Sequence, residues 1–238
     1  MNKLAVFDLE IARPLSGGDD WLAQKPGISC AAVVLSDTDE VLVWHGLPEM
    51  GERGADFIVS ALWRLRSQGY TLAGFNSAGF DFPMLVTEGT NTIPSEVCRG
   101  MAPNHYDLFF QIFATLGYSP GLDRIAKGLG LPGKPVDMDG SKAPELWQAG
   151  QYQTVLDYLV QDVRTTLDVF RKIEQLGGIQ WTAKSGRPNT LDIGRFLTVS
   201  ESMALPEPDT SWMDSPWSRD KFIGWLTHPP HRGGRGVE

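Results

Sequence analysis

Asp8 and Glu10 stand two residues apart in the apolar stretch KLAVFDLEIA. A β-strand repeats its side-chain direction every second residue, so both carboxylates point to one face. Two like charges held that close need a cation, a shared proton or solvent. A wet-faced edge strand would also meet that need. Asp81 sits between Phe80 and Phe82 in GFNSAGFDFPML, with Asn76 five residues upstream and Pro83 just after. Burying a carboxylate among phenylalanines without a partner is costly, so something must hold its charge. Tyr158 and Asp162 are four residues apart in DYLVQD, and that spacing stacks them on one face of a helix. Taken alone, the pair reads as an exposed Tyr beside an exposed Asp on a solvated face.

The elements that must position these groups follow from periodicity. KLAVFDLEIA is a strand, and ISCAAVVLS and EVLVWHG are two β-branched strands joined by the turn-like DTD. ADFIVSALWRLRSQG shows helical spacing in Phe57, Ile58, Ala61, Leu62 and Leu65, and Gly69 marks its end. YTLAGFN is a short buried strand, and the stretch holding Asp81 leaves its carboxyl end and leads into the helix FPMLVTEG. Pro83 suits the first helical turn, where its missing N–H would have no partner. HYDLFFQIFATLG is apolar and helical, with Asp107 a candidate N-cap. SPGLDRIAKGLGL reads as a capped helix ending at glycine, and PGKPVDMDGSKAP as a loop. From about Pro144 to Gly178 runs the longest helical signal, two helices broken near Gly150. Its apolar stripe is Leu156, Leu159, Val160, Val163, Leu167 and Phe170. At ~100° per residue, Tyr158 and Asp162 lie well away from that stripe. Three strands, a helix, another strand and then helices predict a mixed α/β sheet flanked by helices.

The 238 residues are 42% hydrophobic, enough for one sizeable core with an appended subdomain. The formal net charge of −8 gives no global attraction to nucleic acid, so such binding would need a local basic patch or metal ions. That composition argues against a pure nucleic-acid-binding module more than against an enzyme whose carboxylates hold cations. Cys30 and Cys98 form no CxxC and read as reduced core thiols. No apolar run is long enough to span a membrane. The amino terminus is too short and too acidic for a signal peptide, so a cytoplasmic location is the expectation.

Taken together, D-x-E on the first strand, N-x-x-x-F-D after a later strand and Y-x-x-x-D on a late helix occur in a fixed order. They resemble the three exonuclease motifs of the DEDD superfamily of 3′→5′ exonucleases, which has a ribonuclease H-like fold. FDLE is similar to the first motif, GFNSAGFDFPML to the second and YLVQD to the third. The Tyr four residues before the last Asp resembles the tyrosine subclass. The second motif, with its Asn, Phe-Asp and Pro-x-Leu, resembles the proofreading domains of family B DNA polymerases, and LDRIAKGLGLPGKPVDMDG resembles their stand-alone relatives. A proofreading role is not carried over with the motifs. The likeness covers roughly residues 1–178, and 179–238 reads as a C-terminal extension of the same globule.

The resemblance implies a ribonuclease H-like mixed five-stranded sheet and a phosphodiester hydrolase. It places Asp8, Glu10, Asp81 and Asp162 together, where they would hold two divalent ions about 4 Å apart. Carboxylate oxygens suit Mg²⁺ or Mn²⁺. It gives Asp8 to both ions, Glu10 and Asp162 to the first and Asp81 to the second. Tyr158, whose ordinary pKa of about 10 makes it a poor base, would orient the attacking water. Leu9, Asn76, Phe80 and Phe82 are the implied substrate contacts; core packing is the alternative for the phenylalanines and turn shaping for Asn76. The implied partner is a single-stranded nucleic acid 3′ end, with DNA favoured over RNA by the polymerase-like second motif. An exoribonuclease and a catalytically silent binding module are the alternatives. Lys127, Lys134, Lys142, Arg164, Arg171 and Lys172 could reach phosphates or be ordinary surface. In the extension, IQWTAKSGRPNTLDIG reads as a hairpin about Ser185 and Gly186, with Lys184 and Arg187 at its tip. Trp212, Trp217, Phe222 and Trp225 are expected to pack on the core, because such aromatics bury roughly 150–250 Å² each. The final HRGGRGVE is expected to be flexible.

Overall fold

β1 (Leu4–Ile11) is buried on both faces because it runs through the middle of the sheet. The computed structural model describes residues 3–16, 21–90, 92–133 and 140–227, apart from the side chains of Thr92 and Ile93. The middle of the expected loop PGKPVDMDGSKAP, with the candidate phosphate contact Lys134, and the basic end HRGGRGVE lie outside the described residues.

With β2 (Ile28–Leu35), β3 (Val41–His45), β4 (Thr71–Gly74) and β5 (Tyr106–Asp107), β1 forms a sheet of order β3-β2-β1-β4-β5. β1 pairs antiparallel with β2, and β2 with β3; β4 is parallel to β1, and β5 to β4. This is the mixed five-stranded sheet flanked by helices expected for a ribonuclease H-like fold. The fifth strand is only two residues long and opens the segment read as helical throughout. Asp107 then caps α4 (Leu108–Leu116), as its type and position suggest.

The two faces of β1 meet different helices. Ala5, Phe7, Leu9 and Ile11 pack under α1 (Gly51–Ser67), α2 (Asp81–Glu88) and α3 (Thr92–Met101). Leu4 and Val6 pack under α5 (Leu122–Gly128), α6 (Ala143–Gln148) and α7 (Tyr152–Leu176). The break between α6 and α7 falls at Gly150, whose φ of 78° is one that L side chains rarely adopt. The buried stripe of α1 is Ala55, Ile58, Val59, Leu62 and Leu65. Phe57, expected in that stripe, is 54% exposed and meets the ring of Trp44 edge to face, with ring centroids 6.0 Å apart. It lies one step off the face that the sheet covers.

Beyond α7, β6 (Gly178–Thr182) and β7 (Pro188–Asp192) form the expected antiparallel hairpin. Its Ile179 and Trp181 enter the core beneath α5 and α7. A Cβ on Gly128 would collide with the backbone oxygen of Gln180, so α5 and β6 can approach this closely only at glycine. α8 (Val199–Met203) and α9 (Asp220–Ile223) follow. Phe222 and Trp225 are buried as expected, but Trp212 and Trp217 are 66% and 55% exposed. The chain around those two indoles lies on the rim, where Tyr118 and Lys221 cover them only in part.

Candidate active site

Asp8 and Glu10 emerge where the α7-facing side of β1 runs out from under its apolar cover. The β1–β2 ladder slips register between Glu10 and Ile11, and the Ser29 hydroxyl donates to the Glu10 carbonyl at 2.9 Å. A slip of this kind bends a strand and re-aims its side chains. Cys30 lies opposite Glu10. Burial pushes its thiol up to about 12, so it stays protonated and offers no thiolate to a cation.

After β4 the chain turns through Asn76 to Gly79. Asn76 has φ 68°, a left-handed conformation that asparagine tolerates better than most residues. Asp107 holds this turn from beneath. Its carboxylate accepts from the backbone N–H of Asn76 and of Ala78 (both 2.8 Å) as well as from Phe110 in α4 (3.1 Å). Burial pushes the Asp107 carboxyl up to about 6, against the pull of those N–H donors.

Asp81 does not extend from β4 itself; it is the first residue of α2, seven positions after that strand ends. Its Oδ1 accepts the backbone N–H of Leu9 at 2.9 Å. The carboxylate between two phenylalanines is therefore tied to the neighbouring strand, midway between Asp8 and Glu10 in sequence. Burial, and then the negative charges of Asp8 and Asp107, raise its pKa well above the ordinary carboxylate range.

α7 is buried on two sides, which its sequence stripe did not show. Val155, Leu159, Val163 and Leu167 enter the core, while Tyr158 and Asp162 are also buried, beneath the cleft rather than in solvent. Burial, then Asp162 and Glu10, push the Tyr158 phenol far above its ordinary value.

Asp8, Glu10, Asp81, Tyr158 and Asp162 line one cleft of about 850 Å³. Leu9, Asn76 and Phe80 line it with them. Phe82 does not: it has no exposed surface and is wedged between Phe7 and His105, with ring centroids 5.2 and 4.8 Å away. It is not among the substrate contacts, because two residues on from Phe80, about 200° around the helix, its ring turns into the core. None of Lys127, Lys142, Arg164, Arg171 and Lys172 lines the cleft, and nor do Lys184 and Arg187. Lys127 pairs with Asp123 at 2.7 Å, and Arg171 with Asp39 at 2.6 Å.

The donors facing the cleft are oxygens, the chemistry that suits hard divalent cations. Among the described residues, no three His, Cys, Asp or Glu side chains are gathered tightly enough to hold a metal ion as they stand. Asp8, Glu10, Asp81 and Asp162 share the lining of this one cleft.

Several residues in the cleft or behind it were not singled out from sequence. Thr166 is one more helical step along the face of Tyr158 and Asp162, and that spacing was a usable signal. Trp21 stacks behind Phe80, with ring centroids 5.3 Å apart and planes at 14°. Phe75 and Phe109, which also line the cleft, meet edge to face at 5.6 Å. These contacts join residues far apart in the chain, and no local pattern announces them.

Residues 97–187 match a family described as a predicted 3′-5′ exonuclease related to the exonuclease domain of PolB. The matched stretch contains Tyr158 and Asp162 and leaves out Asp8, Glu10 and Asp81. No curated protein matches the chain. The fold is similar to that of the family B DNA polymerase from the hyperthermophilic archaeon Pyrobaculum calidifontis, with TM-score 0.52 and 22% identity. That match covers 73% of this chain and 25% of the polymerase, so the chain spans about a quarter of the polymerase's length. The family match is confined to residues 97–187, and the polymerase shares the fold.

Proposed function

We propose that the protein is a divalent-metal-dependent 3′→5′ exonuclease that releases nucleoside 5′-monophosphates from single-stranded 3′ ends, with DNA preferred to RNA. The observation that carries this is the single cleft lined by Asp8, Glu10, Asp81, Asp162 and Tyr158 from three separate elements. The four carboxylates would hold two Mg²⁺ or Mn²⁺ ions. When bound, such ions supply charge neutralisation at the scissile phosphate and a more acidic water. Tyr158 stays protonated, so its role is to orient the attacking water by a hydrogen bond and not to take its proton. Phe80, braced by Trp21, offers a ring face to the terminal base, and Leu9 and Asn76 lie beside it to hold the last nucleotide in place. The DNA preference rests on the polymerase-like second motif.

The test is degradation of 3′-labelled single-stranded DNA and RNA side by side, with Mg²⁺, Mn²⁺ or EDTA, beside an internally labelled circular strand. Metal-dependent release of mononucleotides, faster from DNA and absent from the circle, is the expected result. Cutting of the circle would make the protein an endonuclease, and faster loss of RNA would reverse the substrate preference. No release in any arm would leave a binding module.

A further inference from the structure

Trp225 reaches from the end of the described chain to the second-motif turn. Its indole N–H donates to the Ala78 carbonyl at 2.8 Å and is shared with the Phe222 carbonyl at 3.1 Å. Ala78 is the residue whose N–H the Asp107 carboxylate accepts. The peptide units of the Asn76–Gly79 turn are thus gripped from two sides, by a carboxylate on its N–H groups and an indole on its carbonyl. Arg99 of α3 fixes the gripping residue in turn. Its guanidinium donates to the carbonyls of both Trp225 and Leu226 and lies 5.5 Å from the Trp225 ring centroid.

Phe222 closes the same turn from the side. A Cβ on Gly79 would come within 2.8 Å of the Phe222 ring and 2.7 Å of Asn76 Oδ1, so the Phe222 ring lies against the backbone here. Phe222 also meets Phe109, which lines the cleft, with ring centroids 5.3 Å apart. The turn held this way sets the left-handed backbone of Asn76 and delivers Phe80 and Asp81 at the start of α2.

We infer that Trp225 is a positioning residue for the proposed reaction: the C-terminal segment clamps the turn that aims Asn76, Phe80 and Asp81 into the cleft. The segment is therefore part of the active site's frame and not only a cover over the core. This rests on the exonuclease reading for its catalytic consequence, but the clamp itself is a structural claim with its own readout.

The experiment compares Trp225→Phe, which keeps an apolar ring and loses the donor, with the wild-type chain and with Leu62→Val. Leu62 is a buried residue of α1 outside the cleft lining, and that variant serves as a destabilised control. Hydrogen exchange is followed at Gly79, Phe80 and Phe82, whose N–H groups bond to the Asn76 and Ser77 carbonyls inside the turn. In Trp225→Phe these amides should exchange at least about 10-fold faster while β1 and β2 stay as in wild type. Turnover on a 3′-labelled single strand with Mn²⁺ should fall about 10–100-fold, because a small misplacement of reacting groups is amplified in rate. KM should stay within about 3-fold, and Leu62→Val should change neither quantity at an equal loss of Tm. Unchanged exchange in the turn, or a turnover loss no larger than that of Leu62→Val, overturns the inference. If the wild-type chain releases no nucleotide, the exonuclease reading fails and the exchange arm alone decides the clamp. Should Trp225→Phe not fold, Arg99→Met, which frees the carbonyls of Trp225 and Leu226, takes its place with the same expected outcomes.

Discussion

Replacing Asp81 by Asn tests the electrostatic account of the cleft directly. Asn keeps an oxygen to accept the Leu9 N–H, at the 2.9 Å contact made by Asp81 Oδ1, and removes only the capacity to ionise. Asp81 is 2% exposed and sits beside Asp8 and Asp107. Its raised pKa means that the metal-free fold holds a proton that the unfolded chain releases above 3.8. A folded-state pKa above the unfolded value gives stability that is complete below 3.8 and is lost as pH rises through the folded value. One such proton makes stability fall by at most about 1.4 kcal/mol per pH unit within that window. For a chain of this size that corresponds to roughly 3–6 °C in Tm per pH unit. Thermal melts in EDTA from pH 4.5 to 8 should therefore show a shallower fall for Asp81→Asn than for wild type, with the two curves furthest apart at high pH. Added Mg²⁺ should raise the wild-type Tm, and more so at high pH, because the ion and the proton compete for the same carboxylates. The variant should gain less. Identical pH slopes for the two proteins in EDTA would refute the reasoning, since Asp81 would then be ionised in the metal-free fold.

Asp8→Ala and Asp162→Ala should each lower nucleotide release by several orders of magnitude while the fold is kept; near-normal release by either folded variant removes the four-carboxylate assignment. Tyr158→Phe should cut turnover roughly 10- to 1000-fold with little change in substrate affinity, the scale of one positioned hydrogen-bonding group; weak binding with normal turnover would make it a stacking residue instead. Gly128→Ala should cost about 1–3 kcal/mol by forcing α5 off β6, read as a lower Tm, and an unchanged Tm would mean that the hairpin is not tightly docked. A chain ended at Gly178 should melt lower and be less soluble, because Phe222 and Trp225 would leave apolar surface behind them; an equal Tm with full activity would make the extension a separate appendage.

The sequence by itself determined the strands other than the two-residue β5, the long helix, the break at Gly150 and the chemistry-bearing residues. Each is a local matter: side-chain period, a turn residue, or an acid in an apolar stretch. It also determined that Asp107 would cap a helix, since an acid before an apolar helical run meets the same unbonded N–H groups in any fold. It did not determine that the same carboxylate would hold the Asn76–Ala78 turn, because the two segments meet only when β5 pairs with β4. Phe80 and Phe82 are indistinguishable by type and spacing, yet one faces the cleft and the other the core. Trp225 and Trp217 are equally apolar, yet one is buried against α3 and the second-motif turn and the other stands in solvent. In each pair the difference is set by what the rest of the chain brings alongside. Burial depends on partners that are distant in sequence, and only the tertiary structure supplies them.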